Sequence, residues 1–109
     1  MKKQVSAATA TVLVVMSLAA GLAKAQGTAP ATFKSKCAAC HGTDGKGETA
    51  VGKSLGMHDL ASAATQKMSD ADLEQMITKG KNQMPAYGDS LKAPEIKDLV
   101  QYVRAFAKK

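Results

Sequence analysis

The run Cys37-Ala38-Ala39-Cys40-His41 restricts what this chain can build more than any other stretch of it. Two thiols at this spacing can add across the two vinyl groups of one haem, and the adjacent imidazole is then held beneath the iron. Attachment and ligation come from one turn of chain. Other chemistries also use paired cysteines. A thiol–disulfide centre comes with a strand–helix unit, and no run here alternates as a strand should. Zinc held by two Cys and two His wants finger-like spacing, whereas His58 stands far along the chain and alone. A bridge between Cys37 and Cys40 would close a tiny loop and stabilise little through chain entropy. The pair reads as chemistry: one haem c on two thioethers, held by Cys37, Cys40 and His41.

The first 25 residues read as an export signal. Lys2 and Lys3 precede an apolar run from Ala7 to Leu22, and Ala23-Lys24-Ala25 offers a small-residue cleavage site before Gln26. The alternative is a retained anchor, but the most apolar part, Ala10 to Ala23, is shorter than the roughly 20 residues a membrane span needs. The expectation is a cleaved segment 1–25 and one domain over 26–109, exported to a periplasm, with no membrane span after cleavage. Loss of Lys2, Lys3 and Lys24 lowers the formal charge from +6 by three, to +3. That balance is mild. With no long basic blocks it gives no reason to expect nucleic acid as a partner. A domain of this size is marginal on side chains alone. It has two Phe, two Tyr and no Trp, so a large apolar group would fill a gap in the core.

The periodicity predicts an all-helical chain with two long loops. Ala31 to Ala39 suits a helix with Phe33 and Cys37 on one face, capped by Thr28 with Pro30 in the first turn. Glycines at 42, 45, 47, 52 and 56 punctuate the next stretch too densely for regular structure. Asp59 begins a short, weak helix. Ser69 caps a clearer one with Leu73, Met76 and Ile77 on its apolar face, and Gly80 stops it. Lys81 to Leu91 is irregular. Pro94 and Glu95 open the strongest helix, where Ile96, Leu99, Val100, Val103 and Phe106 keep the helical period. Lys108 and Lys109 complement its negative end.

A second axial ligand has to come from elsewhere in the chain. His/Met pairing is one way in which haem iron is held, so the candidates are Met57, Met68, Met76 and Met84, with His58 as rival. Met68 and Met76 read as core filler, and Met57 falls in the glycine-rich region. Met84 stands in an irregular loop beside Pro85, which fixes its own φ and restricts Met84 to extended conformations. Asn82 is expected to add a polar contact to that turn.

With Phe33 four residues before Cys37, the attachment motif followed by Gly42, the segment Lys79-Gly-Lys-Asn-Gln-Met84-Pro85-Ala-Tyr87 and the closing Leu99-Val-Gln-Tyr102-Val-Arg-Ala-Phe106, the chain resembles a class I bacterial c-type cytochrome, a small single-haem c6-like or c55x-like protein. The resemblance spans nearly all of residues 26–109. It implies a cytochrome c fold of three to four helices and long loops wrapped around one haem. It also implies Met84 as the second metal ligand opposite His41, and a close crossing of the first and last helices where Phe33 meets Leu99 and Tyr102. Ala29 stands where the family usually has glycine, so its methyl is expected to loosen or shift that crossing. The family's loop proline, whose carbonyl takes the axial histidine's N–H, has no counterpart between Gly47 and Leu60. A carbonyl near Lys53 to Leu55 is expected to serve instead.

The implied function is a soluble periplasmic electron carrier, not an enzyme. It would act as a monomer meeting redox proteins at a basic rim of Lys34, Lys36, Lys46, Lys53, Lys79 and Lys81 that suits an acidic docking surface. Two alternatives stay open. One is a haem enzyme or small-ligand sensor with a labile axial site; the other is an electron-entry subunit of a periplasmic dehydrogenase complex.

Overall fold

Two prolines open the helices that cross at the centre of the molecule. Pro30 and Pro94 sit in their helices' first turns, where the missing N–H has no partner to lose and the fixed φ already suits a helix. The computed structural model describes residues 28–108, so the expected export signal and its cleavage site lie outside the described residues. In chain order the helical segments are α1 (Ala29–Lys36), α2 (Ala38–His41), α3 (Ala50–Ser54), α4 (Ala63–Gln66), α5 (Asp70–Lys79) and α6 (Ala93–Phe106). Among the described residues, β pairing is confined to an isolated Lys81–Met84 bridge. The all-α expectation holds: α1, α5 and α6 form the frame, and the other three are single turns set in loops.

Side-chain caps explain most of the starts. Thr49, Ser62 and Ser69 each accept a hydrogen bond from the backbone N–H three residues on, at Gly52, Thr65 and Asp72, satisfying donors that a helix leaves orphaned. At α6 the Glu95 carboxylate accepts from the Lys92 N–H at 2.8 Å. Gly80 ends α5 at φ +71°, a conformation that glycine adopts without a Cβ penalty.

Several boundaries depart from expectation. The first helix runs Ala29–Lys36 and is interrupted at Cys37, with α2 resuming at Ala38. Thr28 contributes its carbonyl, which accepts from the Thr32 N–H at 2.8 Å, and no side-chain cap. The glycine-rich stretch holds the helical turn α3, because the Thr49 cap outweighs the punctuation. Asp59 starts a turn by accepting from the Ala61 N–H at 2.8 Å, and the helix begins later, at Ala63, with Ser62 as its cap. Finally, α6 ends at Phe106, so Arg104 is the basic residue of its last turn and Lys108 lies beyond it.

The core is small. Phe33, Leu91, Ile96, Leu99 and Phe106 form its buried cluster, with Cys37, Ala38, Leu60, Ile77, Tyr87 and Tyr102 packed against it. Every apolar residue expected on the α6 face is buried, and Leu99 and Val100 are fully so. Each such side chain contributes about 1.5–3 kcal/mol relative to exposure. The helix crossing is built on rings: Phe33 lies 5.1 Å from Tyr102 and 5.4 Å from Phe106, centroid to centroid. Tyr102 meets Phe106 edge-on at 5.2 Å, a geometry that aromatic quadrupoles favour. Ala29 is itself buried.

Candidate cofactor site

The attachment turn sits where α1 breaks. Cys37 and His41 join through the 2.9 Å bond from the His41 N–H to the Cys37 carbonyl, which winds both thiols and the imidazole into one turn. Cys37 and Cys40 are both free thiols, each half-buried. Burial pushes the Cys37 thiol above its ordinary value, and the nearby Lys36 ammonium partly opposes it. His41 is moved the other way: burial holds its imidazole below its ordinary value. A neutral ring keeps a lone pair available for a metal.

The glycine-rich loop is bolted to this turn from one side. The Gly47 N–H donates to the His41 carbonyl at 2.7 Å, and Thr49 Oγ1 donates to the Cys40 carbonyl at 2.9 Å. The same Thr49 oxygen caps α3. Gly52 is where α3 comes closest: a Cβ there would lie 2.5 Å from the Cys40 carbonyl oxygen and would collide with the Gly47 carbonyl. Only glycine allows that approach. The loop also leans on α6, since a Cβ on Gly45 would lie 3.0 Å from the Phe106 ring.

The Met84 loop is bolted on from another side. The Lys81 and Met84 N–H groups exchange bonds with each other's carbonyls at 3.1 and 2.9 Å, closing a tight turn. Asn82 takes φ +53° inside it, a left-handed conformation that asparagine tolerates better than most residues. Its role is backbone geometry; among the described residues its side chain makes no hydrogen bond. The loop lies flat on the end of α5, since a Cβ on Gly80 would lie 2.5 Å from the Met84 carbonyl oxygen. It returns through Tyr87, whose hydroxyl donates to the Lys36 carbonyl at 2.9 Å. Burial pushes the Tyr87 hydroxyl above its ordinary value, with the sulfurs of Cys37 and Cys40 adding to the shift. Both loops thus converge on the attachment turn.

The other sequence candidates fall elsewhere. Met68 and Met76 are half-buried and line an open cleft with Asp72, Gln75, Lys79, Gly80 and Lys81, so they border a groove where core filling was expected. Met57 contacts the glycine-rich loop: a Cβ on Gly47 would lie 3.1 Å from Met57 Cβ. His58 is exposed. Among the described residues no three His, Cys, Asp or Glu side chains come together as a zinc site would need. All six lysines of the expected rim are exposed.

The residues present fit a covalently held apolar group with a metal at its centre. Among the described residues His41 Nδ1 is buried and has no hydrogen-bond partner; the expected carbonyl from the 53–55 stretch does not reach it, and the Lys53 carbonyl instead accepts from the Gly56 N–H. Val51 and Leu55 are 46% and 44% exposed, on and just after the short helix that Thr49 pins to Cys40. Large apolar side chains left open on the segment pinned to the attachment turn are surface that a haem-like group would cover.

Sequence reasoning missed the elements that hold these parts together. Arg104 donates to Asp70 Oδ1 from Nε at 3.0 Å and Nη2 at 2.8 Å, to the Gln66 carbonyl at 3.0 Å and to the Met68 carbonyl at 2.6 Å. Gln66 Nε2 donates to the Leu60 carbonyl at 2.7 Å and the Val103 carbonyl at 3.2 Å. These two side chains fasten the α4–α5 segment to α6. No local pattern announces them.

Comparison with known proteins agrees with this geometry. Residues 25–103 match the family described as cytochrome C oxidase, cbb3-type, subunit III. The chain is 35% identical over 86 residues to cytochrome c6 of Gloeothece citriformis, covering 76% of this chain and 73% of that protein. Against cytochrome c6 of Microcystis aeruginosa the identity is 36% over 77 residues, covering 71% and 91%. The solved KustC0563 c-type cytochrome superposes with a TM-score of 0.66 at 34% identity, covering 72% of this chain and 95% of that one. Motif, fold and relatives agree: the chain belongs to the c-type cytochromes, in the company of the small c6-like proteins.

Proposed function

We propose that this protein is an exported electron carrier holding one haem c, with Cys37 and Cys40 as its thioether anchors and His41 and Met84 as its axial ligands. The carrying observation is the pairing of two free, half-buried thiols with a half-buried imidazole whose Nδ1 is buried and unpartnered among the described residues. When bound, the haem supplies a reversible one-electron change between ferrous and ferric iron. The chain's own contribution is positional. The Gly47 and Thr49 bonds fix the His41 and Cys40 carbonyls, and so hold the attachment turn. The Met84 loop is fixed through Gly80 and Tyr87. Filling both axial positions leaves no place for a substrate, which favours a carrier over an enzyme. Its named relatives are cytochromes c6, and among the described residues no helix is long and apolar enough to cross a membrane. Cleavage of residues 1–25 and release of residues 26–109 into a periplasm, with service as a monomer to partners with acidic docking surfaces, complete the proposal.

The test is spectroscopic. Carbon monoxide added to the reduced protein, or cyanide to the oxidised protein, should perturb the haem spectrum weakly and slowly, and a redox titration should give one reversible one-electron wave. Rapid, complete ligand binding at neutral pH would instead identify a ligand sensor or an enzyme.

A further inference from the structure

Tyr87 has its backbone and its side chain tied to different parts of the molecule. Its N–H donates to the Ile77 carbonyl of α5 at 2.9 Å, and its own carbonyl accepts from the Leu91 N–H at 2.8 Å. The ring packs against the buried core cluster. Only the hydroxyl reaches across, to the carbonyl of Lys36, 51 residues away in sequence and the last residue of α1 before Cys37. The loop that leaves α5 at Gly80 and carries Met84 is therefore closed at its far end by a bond to the attachment turn. A loop held at both ends opens less often than one held at one end, because the bond made in the closed state is lost on opening.

We propose that Tyr87 is a positioning residue: its hydroxyl, by binding the Lys36 carbonyl, sets how often the Met84 side chain can leave the iron. The inference rests on Met84 being the axial ligand. It adds that control of ligand release lies in a bond between the two walls of the site, three residues from the ligand. A net hydrogen bond of this kind changes an opening equilibrium by roughly two- to tenfold.

The experiment uses the full haem-loaded protein. Imidazole is mixed with the ferric form of wild type, Tyr87→Phe and Tyr102→Phe, and the limiting rate at saturating imidazole is read, since that rate reports opening of the Met84 side. Tyr87→Phe keeps the ring and removes one donor; the limiting rate should rise about fivefold. Tyr102→Phe makes the same chemical change where the hydroxyl makes no hydrogen bond to the described residues, and its rate should match wild type. Replacing Tyr87 with 4-aminophenylalanine restores an N–H donor and should return the rate most of the way to wild type. Denaturant midpoints are followed in parallel. A bond that is only structural would move the midpoint and leave the imidazole rate unchanged, which overturns the inference. So does an equal rise in Tyr102→Phe. If wild type lacks the near-infrared sulfur-to-iron band, the Met84 reading fails and takes this one with it. If the band is present and Tyr87→Phe leaves the rate unchanged, this inference alone fails.

Discussion

Met84 is aimed by backbone constraints. The left-handed Asn82, the paired Lys81 and Met84 bonds and the ring of Pro85 leave its turn few alternatives. Replacing Met84 with Ala should abolish the sulfur-to-iron band, lower the reduction potential and open the iron to exogenous ligands, because a soft sulfur ligand raises the potential. Exposed His58 makes the contrasting case: His58→Ala should change none of the three, and loss of native ligation in that variant would contradict the assignment. The Tyr87 hydroxyl gives a second residue-level expectation. An acid whose value is raised in the folded state holds its proton more tightly there than when unfolded. Its contribution is thus intact below the ordinary tyrosine value of 10.0 and is lost as pH rises through the window above it. Thioether formation would remove the charge on both cysteines, leaving burial, the larger cause, to maintain the shift. The denaturant midpoint should fall more steeply above about pH 10 in wild type than in Tyr87→Phe. Equal slopes would contradict this.

At the scale of elements, three glycines predict two different outcomes from the same substitution. Gly52→Ala would drive a methyl into the Cys40 and Gly47 carbonyls and should cost more than about 3 kcal/mol, together with weaker haem retention, since backbone cannot move aside as a side chain can. Gly80→Ala meets both positive φ and the Met84 carbonyl and should behave similarly. Gly56 has positive φ but open space around it, so Gly56→Ala should cost only about 1 kcal/mol of backbone strain. Chemical denaturation of the three variants checks the order. Arg104 supplies a further contrast. Asp70 is 54% exposed, so Asp70→Asn should lose at most about 1 kcal/mol. Arg104→Ala also strips donors from the Gln66 and Met68 carbonyls and should lose about 2–3 kcal/mol. The helices themselves were readable because their causes are local. Ser69, Gly80 and Pro94 mark ends, and α6 repeats its apolar residues at the helical period. The α3 turn was not, because five glycines in fifteen residues outweigh one Thr in any local reading, and Thr49 also bonds the Cys40 carbonyl nine residues away.

Across the whole molecule, the site is an assembly of segments distant in sequence, and this separates what the sequence discloses from what it withholds. The anchor residues are legible because thioether chemistry demands two thiols and a histidine within one turn. Their supports are not, since the Tyr87–Lys36, Arg104–Met68 and Gln66–Val103 bonds join residues 36 to 51 positions apart. The surface follows the same division. Lys34, Lys36, Lys46, Lys53, Lys79 and Lys81 were readable as a cationic set and are all exposed, Lys34 and Lys36 on α1, Lys46 and Lys53 in the glycine-rich stretch, and Lys79 and Lys81 at and just beyond the end of α5. Electron-transfer rate with a native acidic partner should therefore fall as ionic strength rises, steering being screened over a Debye length of about 10 Å at 0.1 M salt; a rate flat in salt would leave the lysines as ordinary solubilising charge. Covalent haem on Cys37 and Cys40 underlies the ligation and electron-transfer expectations, and acid–acetone extraction of the purified protein followed by mass analysis of the peptide spanning residues 37–41 measures it. The account predicts that the haem stays with the protein and that this peptide carries one haem on both sulfurs; complete extraction of the haem, with both thiols recovered free, would contradict it.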